Sequence, residues 1–551
     1  MTVRRKFVIY QLLPRLFGNT NDVCIPNSFS DVNGCGKLAD ITPEVIKSIK
    51  ELGCTHIWFT GILEHATQTD NSAIGIPPDP STVVKGKAGS PYAIKDYYDV
   101  APDLAINPER RMDEFRELAE RCHSLNVKVL IDFVPNHLSR VYKSDSNPGR
   151  VGEFGENDNQ FISFSPENNF YYLPGETFVS PAETNDIYFE IPAKATGNDC
   201  FRPDPSVNDW YDTVKLNYGV NYQTGESFFL PVPDTWVKML DILQFWCERG
   251  VDGFRCDMAE MVPSEFWSYS ISAIKAKYPE TQFIAEIYNP GSYRKYLGSG
   301  FDYLYDKVGL YDTLKDIVKG FKPASEITSC WQTLSDIQDS MLNFLENHDE
   351  QRVASPFFAG NPAKALPALA AGLLLNRAPY MIYSGQELGE PGMDSEGFSN
   401  CDGRTSIFDY WSVKTIRDWF KGEYDKKIRD SYSFLLNLSL SEKAFSLGDT
   451  FDLQYANTDN SSYCSGNLYS FIRKFQNELI IVVVNFSSSD FSVKLNIPKH
   501  LFEYFDIKDG NECQSFDLQT GKRENLVFSS EIQFETFVPE CSYSLVKLLL
   551  Q

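Results

Sequence analysis

The sequence predicts an α/β protein: a (β/α)8 TIM barrel with an inserted subdomain after strand 3 and a C-terminal antiparallel β-sandwich. Three observations predict it. Short β-rich runs alternate with helical patterns up to about residue 440, as parallel strands joined by helical crossovers do. One connection, residues 138–233, is far longer than a βα loop and is rich in Asn, Pro, Gly and aromatics. Beyond residue 440 the hydrophobic period changes to two.

Eight runs serve as barrel strands: Phe7 to Leu13, His56 to Thr60, Val127 to Phe133, Val251 to Cys256, Gln282 to Ile287, Phe301 to Tyr305, Met341 to Leu345 and Tyr380 to Tyr383. Helices such as Pro108 to Leu125 and Asp234 to Arg249 fall between them. The expected catalytic barrel is therefore 1–137 with 234–440, the inserted subdomain 138–233, and the sandwich 441–551. In the sandwich, Leu468 to Arg473, Leu479 to Asn485, Phe491 to Ile497 and Ser542 to Leu548 read as strands, with no helix between them.

Composition narrows the partners. Lys plus Arg number 51 against 75 Asp plus Glu, a net charge of −24 that repels phosphate backbones and anionic lipid. Neither nucleic acid nor membrane is expected as a partner, and a neutral ligand fits best. With 40 Phe and 29 Tyr the chain has many flat apolar faces on which sugar rings could stack, although most aromatics are core. The longest apolar stretch, Ala365 to Tyr383, is broken by Pro367, Asn376, Arg377 and Pro379, and reads as core helix plus strand.

The 12 cysteines contain no C-x-x-C pair, and Cys54, Cys122, Cys247 and Cys256 fall in apolar patterns as buried free thiols. Met1 to Lys6 runs straight into a strand with no leader-like apolar region. A cytoplasmic location is expected, and an exported chain whose signal peptide has been removed would read the same.

Four strand ends carry polar clusters: D-F-V-P-N-H (Asp132 to His137), G-F-R-C-D (Gly253 to Asp257), A-E-I (Ala285 to Ile287) and E-N-H-D (Glu346 to Asp349). Singly, each is an ordinary surface ion pair or a packed histidine. In a barrel, the C-terminal ends of strands line the active site. In this order the clusters resemble the four signature segments of the α-amylase family of glycoside hydrolases. Tyr10 to Phe17, His56 to Thr60, Tyr92 to Val100 and Tyr383 to Gly389 resemble its flanking segments.

Glycoside hydrolysis with retention needs two carboxyl groups about 5–5.5 Å apart. Asp257 is the expected nucleophile. Arg255, two residues earlier on the same strand face, orients it and keeps it ionised. Glu286, flanked by Ala285 and Ile287, is the expected acid/base, its proton held by partial desolvation. The resemblance implies that Asp349 grips sugar hydroxyls as the transition state forms. It also implies that His137 and His348 are further hydroxyl partners, that Tyr92 stacks under the reacting glucose, and that Asp132 supports the arginine. Arg352, placed with the substrate-binding residues, reads equally as a hydroxyl or carboxylate clamp or as a surface salt bridge.

Calcium-dependent members use the Asn of the first segment, matched by Asn136, and an Asp where this chain has Lys215. Their basic–histidine pair after the nucleophile is replaced by Glu260 and Met261. An ammonium there opposes a divalent cation, and Lys215 is expected to tie the subdomain to the barrel, through Glu260 among others. The family's other calcium loop is degraded in Asp31 to Asp40, with Cys35 at a carboxylate position and Asp31 and Asn33 left as candidate ligands. No cofactor is expected to be required, and calcium is disfavoured.

The implied substrate is an α-glucan or malto-oligosaccharide. K-L-N at residues 215–217 resembles the neopullulanase and cyclomaltodextrinase branch, and F-L-E-N-H-D resembles general amylases. Transglycosylation or isomerisation on the same residues, and a non-catalytic glycan-binding or transporter-associated role, are the alternatives. Endo versus exo action and oligomeric state stay open.

Overall fold

The computed structural model describes residues 6–392 and 401–550. Most of the expected first segment, Met1 to Lys6, lies outside them. Eight parallel strands close a barrel: β1 (Val8–Leu12), β2 (His56–Phe59), β3 (Lys128–Phe133), β4 (Gly253–Cys256), β5 (Gln282–Ala285), β6 (Tyr303–Tyr305), β7 (Met341–Phe344) and β8 (Tyr380–Tyr383), with β8 returning to β1. They are the eight runs expected, most of them shortened at an end.

The shortening matters at the upper rim. Asp257 N–H still reaches Phe133 O at 2.9 Å and Glu286 N–H reaches Cys256 O at 3.1 Å. Both acids therefore sit one step past the regular ladder, where the strands open to the loops.

The first crossover helix, Pro43–Leu52, illustrates how sequence sets these elements. Thr42 caps it through Oγ1 to Val45 N–H (3.4 Å), Pro43 opens it, and Val45, Ile46, Ile49 and Leu52 form the buried face. It stops at Gly53 (φ 115°), where a Cβ would lie 2.7 Å from Leu436 Cβ, so only glycine allows both the turn and the approach of helix Lys426–Ser441. The apolar stretch divides into helix Leu366–Leu374 and β8, and no described helix is long and apolar enough to cross a membrane.

The insertion after β3 has little regular structure. His137–Ser139 pairs antiparallel with Thr213–Lys215, and Tyr172–Leu173 with Ala193–Lys194. Side chains hold the rest: Asp96 accepts the N–H groups of Asp145 and Ser146 (2.9 and 3.0 Å) and the Ser144 hydroxyl (2.7 Å), and buried Arg140 lies 2.6 Å from Glu190.

At the C-terminal end a six-stranded antiparallel sheet packs on a two-stranded one, Phe491–Leu495 with Phe534–Val538, through Ile481, Val483, Leu495 and Val538. Several features differ from expectation, among them the further strands Asp449–Asp452, Arg523–Phe528 and Phe534–Val538. A helix, Lys499–Tyr504, lies among the strands; it is too short for a helical period to show, and only Leu501 and Phe502 are buried. Strand Asn511–Asp517 was not anticipated because its buried positions are Asn511, Cys513 and Ser515, too polar to reveal period two.

Glu64, 4% exposed, lies beside Asp96 and Asp99. Burial, and then the charge of Asp96, pushes its carboxyl up to about 8. Its contribution to stability is therefore complete below the unfolded value of about 4.3 and is lost as pH rises through about 8. Glu64→Gln should flatten that decline and melt roughly 2 °C above the parent near pH ~8, read from melting temperature against pH. A variant that melts lower there would mean that the charged carboxylate is needed.

Candidate active site

The C-terminal rim of the barrel surrounds a cavity of about 290 Å³ whose wall includes Tyr92, His137, Asp257, Glu286, His348 and Asp349. The four polar clusters thus converge.

Strand β4 begins at Gly253, where a Cβ would meet Gln282 O at 2.6 Å, so the close run of β4 beside β5 requires glycine. Arg255, 1% exposed, then organises three acids from three adjacent strands. Its Nη1 lies 2.6 Å from Asp257 Oδ1 and 3.5 Å from Asp132 Oδ1, and its Nη2 lies 2.8 Å from Glu286 Oε1 as an ion pair without hydrogen-bond alignment. The rings of Trp58, Tyr92 and Tyr305 surround the guanidinium at 5.3, 5.4 and 5.6 Å.

Desolvation raises the Asp257 carboxyl, and Arg255 pulls it back, leaving it above the ordinary carboxylate value. The expected depression is present, but burial outweighs it. Asp132 is pushed up to about 7 by burial against the pull of Arg255, and it accepts from Trp58 Nε1 (3.1 Å) and Gly61 N–H (3.3 Å). It supports the arginine from behind and does not face the cavity.

Glu286, 3% exposed, is desolvated as expected, but its carboxylate is also held by polar contacts. Tyr288 donates its hydroxyl to Oε1 at 2.6 Å, and Met258 N–H donates to Oε2 at 2.8 Å. Met258 adopts a left-handed backbone (φ 42°) in doing so, a conformation costly for a side chain with Cβ. Tyr288 also lines the cavity. Sequence reasoning missed it, although its spacing of two from Glu286 was the signal available.

His348 receives the Gln11 amide at Nδ1 (2.8 Å), meets the Tyr92 hydroxyl at Nε2 (2.6 Å) and stacks on the Tyr92 ring at 5.2 Å. Asp349 Oδ2 lies 3.1 Å from the same Nε2. Burial brings His348 and His137 down to about 3, so both are neutral hydrogen-bonding groups. Desolvation, and then the negative charge of Glu286, pushes the Asp349 carboxyl up.

Three expected site residues lie elsewhere or act otherwise. Arg352 touches no substrate cavity and is no surface ion pair but clamps a buried carboxylate: at 1% exposure it bonds Glu346 (2.9 Å), Thr405 Oγ1 (2.9 Å) and Ser384 O (3.0 Å), behind the cavity. Asn33 is spent on backbone, accepting Ile25 N–H at 2.9 Å and donating to Ile25 O and Tyr410 O at 2.8 Å. Its companion Asp31 is exposed on the short helix Ser30–Asn33, so the pair forms no cation cage.

Asn136 Oδ1 accepts the Lys215 ammonium at 2.5 Å, and that ammonium lies 2.7 Å from Asp199 Oδ1. Glu260, the anticipated partner, instead takes the N–H groups of Tyr288 and Asn289 at 3.2 and 3.3 Å. A divalent cation at Asn136 would have to displace a paired ammonium, so the donor set does not fit calcium. The insertion also brings Trp210 and Asp212 to the cavity wall, with Lys85 3.0 Å from Asp212. No local motif marks these residues.

A parallel barrel whose rim carries two carboxylates bridged by one arginine, with a third acid beside them, has the layout of a glycoside hydrolase. The chain belongs to the α-amylase family, whose catalytic domain, described as "Alpha amylase, catalytic domain", matches residues 11–290. It is 25% identical to α-amylase 3 of Dictyoglomus thermophilum over 66% of this chain and 63% of that protein, so it spans less than two thirds of that relative. It is 22% identical to a cyclomaltodextrinase of Thermoanaerobacter pseudethanolicus over 89% of this chain and 71% of the relative. A maltogenic α-amylase from Thermotoga neapolitana shares the fold at TM-score 0.63 and 19% identity, with 99% of each chain covered.

Tyr288→Phe removes a donor to the Glu286 carboxylate and leaves the ring. Because the lost bond acts on the reacting carboxyl and not on the wall, kcat should fall roughly fivefold with KM little changed. A rise in KM at unchanged kcat would make Tyr288 a wall residue only.

Proposed function

We propose that the protein is a retaining glycoside hydrolase that cleaves α-glucosidic bonds, mainly α-1,4, in starch-type glucans and malto-oligosaccharides. The observation that carries this is the single guanidinium joining Asp257 on one strand to Glu286 on the next, at a sugar-sized cavity. Asp257 attacks the anomeric carbon while Glu286 gives its proton to the leaving oxygen, forming a covalent glycosyl-enzyme. Water deprotonated by Glu286 then releases the sugar with its configuration retained.

Asp349 and the neutral imidazoles of His137 and His348 bind hydroxyls of the reacting glucose. They tighten as the oxocarbenium character grows. The Tyr92 ring lies under that glucose. The likenesses to a cyclomaltodextrinase and a maltogenic amylase support a malto-oligosaccharide substrate. Buried free thiols such as Cys54, Cys122, Cys247 and Cys256 support a reducing compartment.

Asp257→Asn and Glu286→Gln should each lose activity by at least about a thousandfold while the protein stays folded, and the first reducing sugar seen by proton NMR should be the α-anomer. Parent-like turnover of maltoheptaose by either variant, or the β-anomer appearing first, would overturn the mechanism.

No metal is required in this reading, because Lys215 supplies the positive charge between barrel and insertion. Chelation by EDTA should leave activity and melting temperature unchanged, whereas Lys215→Ala should lower both, by about 3 kcal/mol in stability, since Asp199 and Asn136 lose their shared partner. A fall in melting temperature on chelation, restored by calcium, would refute it.

A further inference from the structure

We propose that a second α-glucan-binding site lies in the cleft between barrel helix Glu326–Thr333 and the C-terminal sandwich. The cleft encloses about 430 Å³, walled by Trp331 from the helix and by Phe451, Tyr455, His500 and Tyr504 from the sandwich. The chain following that helix enters β7 at Met341, the N-terminal end of the strand. The cleft therefore lies toward the opposite end of the barrel from the catalytic cavity and is not an extension of it.

Two aromatic side chains here are open to solvent: Tyr455 is 52% and Tyr504 60% exposed. They flank the Phe451 ring, whose centroid is 6.4 Å from Tyr455 and 5.5 Å from Tyr504. The polar tips are tied down: the Tyr455 hydroxyl meets His500 Nε2 at 2.5 Å, and Trp331 Nε1 donates to the Tyr469 hydroxyl at 3.0 Å. These bonds hold the rings in place before any ligand arrives, which lowers the entropic cost of binding.

The rest of the wall selects the ligand. Gln332, Ser335 and Gln338 bring amides and a hydroxyl to the cleft. The carboxylates of Asp449 and Asp452 disfavour an anion. Aromatic faces beside neutral hydrogen-bonding groups suit a ligand with both C–H faces and hydroxyls, which is a sugar chain. The identity of that chain as α-glucan rests on the function proposed above. A polymer held here presents further segments to the catalytic cavity at raised effective concentration.

The test uses Tyr455→Ala combined with Tyr504→Ala, made in the parent and in Asp257→Asn. Native electrophoresis through amylopectin, with the uncut Asp257→Asn protein, reads binding. Hydrolysis of maltotriose and of amylopectin reads catalysis. The double change should weaken retardation by amylopectin roughly tenfold and lower kcat/KM on amylopectin by a similar factor, with maltotriose hydrolysis and melting temperature unchanged. Unchanged retardation overturns the site. If the parent hydrolyses neither substrate, the proposed activity has failed, and retardation of the Asp257→Asn pair alone still decides the cleft.

Discussion

The buried charge of Arg255 is the constraint from which the active site follows. An unpaired guanidinium at 1% exposure would cost several kcal/mol, and it is tolerated only because Asp132, Asp257 and Glu286 meet it. The barrel register provides those partners: Arg255 pairs across the sheet with Asp132 on β3 and with Ile284 on β5, two residues before Glu286. Since strand side chains alternate, a slip of one residue would turn the arginine away from both acids. Catalytic geometry and strand register are thus one specification. The two carboxylates differ because Asp257 has the guanidinium as its partner while Glu286 has Tyr288 and Met258 N–H besides.

A second charge, Lys215, does for the insertion what Arg255 does for the barrel. Burial lowers its pKa, and Asp199 opposes that shift, so the ammonium persists through its partner. The lysine stands directly across from His137 in the short ladder that fastens the insertion to the end of β3. Lys215 and Asn136 therefore set where His137 sits in the wall, and with it the neighbouring Trp210, 5.1 Å away. Polar ties supplement the small apolar contacts of so irregular a segment, such as Phe178 and Ala193 against Val83.

Much of this was legible because it is periodic or local. All eight barrel strands could be read, since each is an apolar run bounded by loops, and the clusters at their ends declared the rim. What escaped is what depends on distance in the fold. Arg352 could not be sorted between clamp and surface pair because its partner Glu346 is six residues away on a turn whose path no pattern reveals. Asn33 looked like a ligand because a sequence does not show that its amide is already bonded to Ile25 and Tyr410. Lys85 meets Asp212 only because the insertion folds back over the barrel. Tyr288 was within reach of a period-two argument, but the loop after β5 carries no strand pattern to prompt it.

The sandwich is coupled to the barrel by a third buried cation. Arg473, 0% exposed, donates to Leu374 O on the barrel helix before β8 and to Phe445 O and Gly448 O at the start of the sandwich. Burial lowers its pKa to about 9, which still leaves it charged at neutral pH. Its partners are carbonyls rather than a carboxylate, so the bonds demand fixed backbone on both sides: a shift of the sandwich by an ångström or two would strand the charge. The same join fixes the spacing between Trp331 on the barrel and the rings of Phe451 and Tyr504 on the sandwich. A cleft built across a hinge would open and close, whereas one built across this join keeps its shape.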